Sequence, residues 1–302
     1  MPSTSPEPSR AELPEGSPAG FAATPPASLL PDIDPAADIE FRKLARSLGL
    51  DPDHRWLGGY VDYEWNHGRH IYETVDPAIA GKLYLEFGCN YGATSIVLAA
   101  LGAKVVGVDV DARLLEVARA NTRRHRVHEG VQLVQAPTRP ALPFRSASFD
   151  AIVCNSVLEY LPAASLPAHQ RELDRVLKPG GLIFVSGTSS RLAPREVHSG
   201  RWLVNYVPRC LDRLLWPGGS VLERGVSPWQ VRHGFGAYDN LDWMDGGRAY
   251  LESRARMSPH SAHLRARKLA HRAARMLGVS LGLVTPSLAV VLRKRENRPP
   301  AP

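Results

Sequence analysis

From residue 82 onward, short apolar runs alternate with segments of helical period. That alternation restricts the fold more than any other feature of the chain. "KLYLEFG" is a continuous apolar run, the pattern of a strand buried on both faces. "ATSIVLAALGA" reads as a helix closed by Gly102, and "KVVGVDV" as the next strand. "ARLLEVARANTRR" follows as a helix with Leu114, Val117, Ala118 and Asn121 on one side. "VQLVQA" and "FDAIVCNS" supply a third and a fourth strand, and "LIFVSGT" a fifth. The helix before that fifth strand, "AHQRELDRVL", is expected to stop at Pro179-Gly180-Gly181. Strands and helices in strict alternation predict an α/β fold, a parallel sheet covered on both faces.

The flanks read differently. Residues 1–37 are rich in Pro, Ser, Ala and Glu without periodic apolar positions, and a disordered tail is expected there. Residues 38–81 read as a helical cap, carried by "AADIEFRKLARSLGL" and "DYEWNHGRHIYETV". Residues 82–187 form the core, 188–285 an irregular insertion that shapes an acceptor pocket, and 286–302 a final strand, "PSLAVVLRK", and a tail. Within the insertion, "HLRARKLAHRAARMLG" places Ala262, Ala266, Leu269, Ala273 and Leu277 on one stripe. Arg265, Lys268, Arg272 and Arg275 fall opposite, so an amphipathic basic helix is predicted. A net charge of +7 favours anionic partners, an anionic membrane surface among them, although a charge run is most often a solvated face. Three cysteines at unrelated spacings offer neither a disulfide framework nor a zinc pattern. With no leader-like start and no long apolar span, the expected setting is cytoplasmic.

Chemistry is expected where the strands end. In an open parallel sheet, ligands sit outside the carboxyl ends of the strands, where the chain order reverses. The loop after the first strand reads "LEFGCNYG", with Gly88 and Gly92 allowing a tight turn and close backbone approach. A glycine loop alone is also a plain strand-to-helix turn. The second strand adds Asp109, a carboxylate at its tip suited to both hydroxyls of a ribose. Glu86 precedes the glycines. A carboxylate there repels a pyrophosphate and favours a cationic sulfonium or ammonium.

With "LPFRSASFDAIVCNSVLEYLP" and "RELDRVLKPGGLIFVSG" downstream, residues 82–187 resemble class I S-adenosylmethionine-dependent methyltransferases. The similarity is to the broad group containing the ubiquinone and menaquinone biosynthesis enzymes. The resemblance implies a Rossmann-like, doubly wound, seven-stranded sheet, mostly parallel with an antiparallel last strand. It implies S-adenosyl-L-methionine as cofactor. Glu86 would hold the methionyl amine, Gly88 and Gly92 would pass beside the methionyl portion, and Asp109 would bind the ribose. Val110 would flank the adenine, and Asn155 with Ser156 would stand beside the methionyl portion at the fourth strand's tip. Three positions depart from the family. Asn90 replaces the usual middle glycine, and Asn tolerates the left-handed backbone the turn needs. Thr138 and Arg139 stand where an acidic residue often reads the adenine, leaving that task to the backbone or the Thr138 hydroxyl. Tyr160 stands where many relatives carry His, so no role of that His is carried over.

Methyl transfer from a sulfonium is an in-line displacement, and a hydroxyl acceptor needs a base. The segment "LAPREVHSGRW" follows the fifth strand at the cofactor's end of the sheet. Glu196 and His198 are the catalytic candidates, with His198 as base because an imidazole ordinarily titrates near pH 6.5. A second role for His198 is to pin a loop. Tyr63, Trp65, His67 and His70 either cover the cofactor or pack a helix on the sheet. "HGRH" has no accompanying ligand cluster, so no metal site is expected. The expected function is methyl transfer to a small-molecule or lipid- or glycan-linked acceptor, with nucleic acid disfavoured as substrate. Two other readings share the glycine loop: a nicotinamide-dependent oxidoreductase, which leaves "LPF" and "LKPGG" unexplained, and a non-catalytic cofactor-binding or membrane-surface module.

Overall fold

The structure, a computed structural model, describes residues 29–216, 224–235, 237–261 and 263–296. The tail expected over 1–37 lies outside these up to residue 28, and its last residues are ordered. Helix α1 (Pro35–Ser47) begins three residues before the expected cap, because Asp34 accepts hydrogen bonds from the amides of Ala36 and Ala37 and Pro35 opens the first turn. Two short helices, α2 (Tyr60–Asn66) and α3 (Arg69–Val75), complete the cap.

The alternating core follows in the expected order. It runs β1 (Leu83–Phe87), α4 (Ala93–Ala100), β2 (Lys104–Asp109), α5 (Ala112–Arg124), β3 (Val131–Gln135), β4 (Phe149–Asn155), α6 (Leu166–Val176) and β5 (Leu177–Ser186). After β5 come α7 (Asp212–Leu215), α8 (Pro228–Gly234), β6 (Tyr238–Asn240), α9 (Leu241–Met244), α10 (Arg248–Met257), α11 (His263–Met276), α12 (Leu281–Val284) and β7 (Val290–Lys294). The sheet has seven strands in the order β3-β2-β1-β4-β5-β7-β6. Strands β1 to β5 run parallel, and β7 is antiparallel to both β5 and β6.

Period-two alternation divides the strand side chains between two cores. Leu85, Val106, Ile152 and Ile183 pack with Leu173 of α6 on one face. Tyr84, Val105, Val153 and Phe184 pack with Ile96 of α4 and Tyr72 of α3 on the other. Each fully buried large apolar side chain stabilises the fold by about 1.5–3 kcal/mol. Helix α1 lies against α5, where Phe41 and Ala45 meet Val117. The Arg124 guanidinium stacks on Phe41 and pairs with Asp38 at 2.6 Å. The cap is thereby fastened to α5.

Three expectations are corrected. Helix α6 ends at Val176, and Pro179-Gly180-Gly181 lie inside β5, at a register shift between Phe149 and Ala151 of β4. Gly181 is required there, because an added Cβ would sit 2.9 Å from the Asp150 carbonyl oxygen. The final strand, β7, is antiparallel as expected. It lies between β5 and β6, so the sheet extends into the segment read as an insertion. Helix α11 is turned from its predicted orientation: His271 and Ala274 are buried, whereas Leu269 is 69% and Leu277 79% exposed. His271 Nε2 bonds the Gly246 carbonyl at 2.9 Å, and Arg275 donates to the carbonyls of Asp242 and Trp243. Serving these carbonyls draws polar residues inward and leaves apolar ones facing out with Arg265, Lys268 and Arg272. Ala262 lies outside the described residues. Among the described residues, no helix is long and apolar enough to cross a membrane.

Candidate active site

The chain order reverses between β1 and β4, and a groove of about 1210 Å³ opens over the carboxyl ends of the strands there. Its floor is the loop between β1 and α4. Gly88 and Gly92 adopt φ of 77° and 78°, and Asn90 joins them in the left-handed region at 48°. A side chain at Gly88 would meet Val157 Cγ2 at 2.4 Å. The Asn90 amide donates to Asp109 Oδ2 at 2.8 Å, and the Asp111 amide to Asp109 Oδ1 at 3.1 Å. The second-strand carboxylate thus anchors the glycine loop while facing the groove. Because glycine holds the same φ without strain, Asn90→Gly should preserve the turn. Its affinity for S-adenosylhomocysteine by calorimetry should stay within about threefold of wild type, roughly 0.6 kcal/mol. A larger loss would show that the Asn90 side chain itself contacts the cofactor.

Glu86 is buried at the tip of β1. Burial pushes its carboxyl up to about 8, against hydrogen bonds from Ser95 and Thr94. Asn155, at the tip of β4, donates from Nδ2 to Thr94 Oγ1 at 3.1 Å and to the Tyr60 hydroxyl at 3.5 Å. Ser186 Oγ donates to Asn155 Oδ1 at 3.3 Å. Ser156 has φ of 50°, and Gly187 beside it has no room for a Cβ, which would lie 2.2 Å from Ser156 Oγ. Val110, Thr138 and Arg139 line the groove on the side of β2, where an adenine would rest. Every residue expected to hold the cofactor except Gly92 therefore lines one groove, and Gly92 sets the turn beneath it.

The catalytic pair divides. His198 lines the groove beyond the end of β5, and its Nε2 meets Glu159 Oε1 at 2.8 Å. Glu196 does not line it. Its carboxylate accepts from the His198 amide at 3.0 Å and the Ser199 amide at 2.5 Å, inside the hairpin closed by the Glu196 amide and the Arg201 carbonyl. Burial alone would raise the Glu196 carboxyl, but those amide hydrogen bonds hold it below its ordinary value. Glu196 positions the loop, and Glu159 orients the ring. Of the N-terminal aromatic cluster, Tyr63 and His67 line the groove, stacked at 4.3 Å, while Trp65 packs in the core. Sequence reasoning passed over Tyr60, Glu64 and Glu159, all groove-lining or in direct contact with a groove residue. The signal for Glu159 was its place four residues past Asn155, where the chain turns back over the strand ends.

The fold and the acid-tipped first and second strands define a nucleoside-cofactor enzyme of the Rossmann-like class. Residues 85–185 match the family described as "Methyltransferase domain". The chain is 29% identical over 184 residues to a ubiquinone biosynthesis O-methyltransferase of Azoarcus sp., covering 59% of this chain and 74% of that one. It is 32% identical over 162 residues to the enzyme of that name from Nitrosococcus oceani, covering 51% and 62%. A solved structure, a putative sarcosine dimethylglycine methyltransferase from Galdieria sulphuraria, is 15% identical with a TM-score of 0.48, covering 86% and 99%. The chain thus spans between about three fifths and three quarters of the length of these two curated relatives. Residues 85–185 thus carry a methyltransferase domain, which implies S-adenosylmethionine as cofactor.

The residues present fit that cofactor. Glu86, buried with no Lys or Arg partner among the described residues, would suit the methionyl ammonium, and the oriented Asp109 carboxylate would suit the ribose. The nicotinamide alternative would place a pyrophosphate against Glu86, a contact that electrostatics disfavours.

Proposed function

We propose that the chain transfers a methyl group to a hydroxyl of a small-molecule or lipid- or glycan-linked acceptor, with His198 as base and Glu159 as its orienting partner. The observation that carries this reading is the His198–Glu159 contact on the groove wall. The Glu159 side chain has no exposure, so its carboxylate acts on the ring from a site closed to water. A ring that donates from Nε2 to Glu159 carries its lone pair on Nδ1, the atom that would take the acceptor's proton. Two further contacts fix the dyad: the Ser189 amide donates to Glu159 at 3.3 Å, and Glu196 holds the His198 main chain. The bound cofactor supplies the electrophilic methyl group, and the protein supplies alignment for in-line displacement.

The groove exceeds the roughly 300–1,000 Å³ of a site for one drug-sized ligand, leaving room for an acceptor beside the cofactor. Its remaining wall is largely aromatic and apolar, with Tyr160, Tyr250, Met257 and Leu288, which suits an apolar or ring-bearing acceptor body. The O-methyltransferase names of the two relatives agree with a hydroxyl acceptor. The test is transfer from isotopically labelled S-adenosylmethionine to a cell extract separated into aqueous and lipid fractions, with products identified by mass. A labelled product carrying the new methyl on oxygen is expected. Label found only on nitrogen or carbon would overturn the hydroxyl assignment.

A further inference from the structure

Glu64 belongs to the cap, yet it lines the same groove as Glu86 and is only 4% exposed. It projects from α2 and folds back over the next turn, where its Oε2 occupies the space a Cβ on Gly68 would need, 2.2 Å away. Tyr60 and Asn155 stand as polar neighbours of its carboxyl and favour its charged form. Asn155 also donates to Thr94 Oγ1, and Thr94 in turn hydrogen-bonds Glu86. One polar chain, Glu64–Asn155–Thr94–Glu86, therefore joins the cap to the first strand. The groups facing this cluster are Tyr60 and His67 from α2 and its end, Tyr72 from α3, and Cys89 from the glycine loop. His67 alone among them can carry positive charge, and neither carboxylate has a Lys or Arg partner among the described residues.

Two buried carboxyls without a counterion are costly to ionise, and each disfavours charge on the other. Burial pushes both upward, Glu86 to about 8 with the neighbouring Glu64 adding to its rise. What the arrangement lacks is a cation, and the methionyl portion of the cofactor carries an ammonium at this end of the groove.

We propose that Glu64 and Glu86 together form a two-carboxylate cage for the ammonium of the cofactor's methionyl portion, so that the N-terminal cap takes part in cofactor binding. The proposal rests on the cofactor assignment and is independent of the acceptor. The ammonium favours the ionised pair, so binding near neutral pH releases the proton that Glu86 holds there. Affinity accordingly rises as pH rises from about 6 toward the Glu86 value, where the carboxyl is ionised without the ligand's help.

The test is calorimetric titration of wild type and Glu64→Gln with two probes. S-adenosylhomocysteine carries the ammonium, and 5′-methylthioadenosine lacks the whole amino-acid portion. The substitution should weaken S-adenosylhomocysteine at least about tenfold and leave methylthioadenosine unchanged, the second probe also showing that the groove is intact. Titrations at pH 7 in buffers of different ionisation enthalpy should show proton release by wild type and less by the variant. Three results would overturn the proposal: unchanged S-adenosylhomocysteine affinity, equal loss for both probes, or equal proton release by the two proteins. Failure of wild type to bind either probe would instead sink the cofactor assignment, and the cage with it.

Discussion

Replacing His198 with alanine should lower methyl transfer by about 10²–10⁴-fold while S-adenosylhomocysteine affinity stays at the wild-type level. The two readouts separate because His198 reaches the groove from beyond β5, whereas the residues proposed to hold the cofactor sit at the tips of β1, β2 and β4. Glu159→Gln keeps the size of the buried side chain and removes its charge. It should cost about 10–100-fold, since an imidazolium formed on His198 then lacks its anionic neighbour. Combining both substitutions should cost little more than His198→Ala alone, because the two act as one unit. Glu196→Gln should behave differently. Gln keeps one acceptor oxygen for the hairpin amides, so its effect should follow the stability of the loop, read by melting, before it follows turnover. Wild-type turnover in His198→Ala would remove the base from the mechanism and leave alignment alone to explain catalysis.

The strand ends that line the groove were legible in the sequence because a continuous apolar run announces both the strand and its last residue. Glu86 and Asp109 were placed by that logic and Asn155 by the family resemblance, and each stands at its strand tip. Asn90 was legible for a local reason: a residue that tolerates positive φ stood where the turn needs one, and the observed 48° agrees. The rest of the site depends on contacts distant in sequence. Glu159 and His198 lie 39 positions apart and meet only because β4 and β5 are neighbours whose following loops fold over the same end of the sheet. Glu64 precedes the first strand by a short cap whose aromatic residues read equally as core or cover. Strand β6 is three residues long and too brief to show a period, so only its pairing with β7 reveals it. Helix α11 had a strong period, but turn carbonyls of residues 242–246 recruited His271 and Arg275 and reversed the face that periodicity favoured.

Asp109→Ala should be the most damaging change to cofactor binding, weakening S-adenosylhomocysteine by about 10²–10⁴-fold. Two hydrogen bonds from ribose hydroxyls to a carboxylate are lost, at roughly 1.5–3 kcal/mol each. The same substitution also releases the amides of Asn90 and Asp111, which Asp109 holds at 2.8 and 3.1 Å, so the glycine loop loses its anchor. Asp109→Asn separates the two contributions. Its amide oxygen can still accept from the Asn90 amide, so the loop should hold, while one ribose acceptor becomes a donor and the charge disappears. An intermediate loss, with the melting temperature of the cofactor-free protein near wild type, is therefore expected for Asn, and a larger loss with a lowered melting temperature for Ala. Equal losses from both substitutions would assign the whole effect to the carboxylate's contact with the ribose. Wild-type affinity in Asp109→Ala would mean that the ribose is held elsewhere. Asn90→Gly keeps both the loop amide and the carboxylate, so comparing the three variants measures how much of the affinity comes from the shape of the turn and how much from the acid that anchors it.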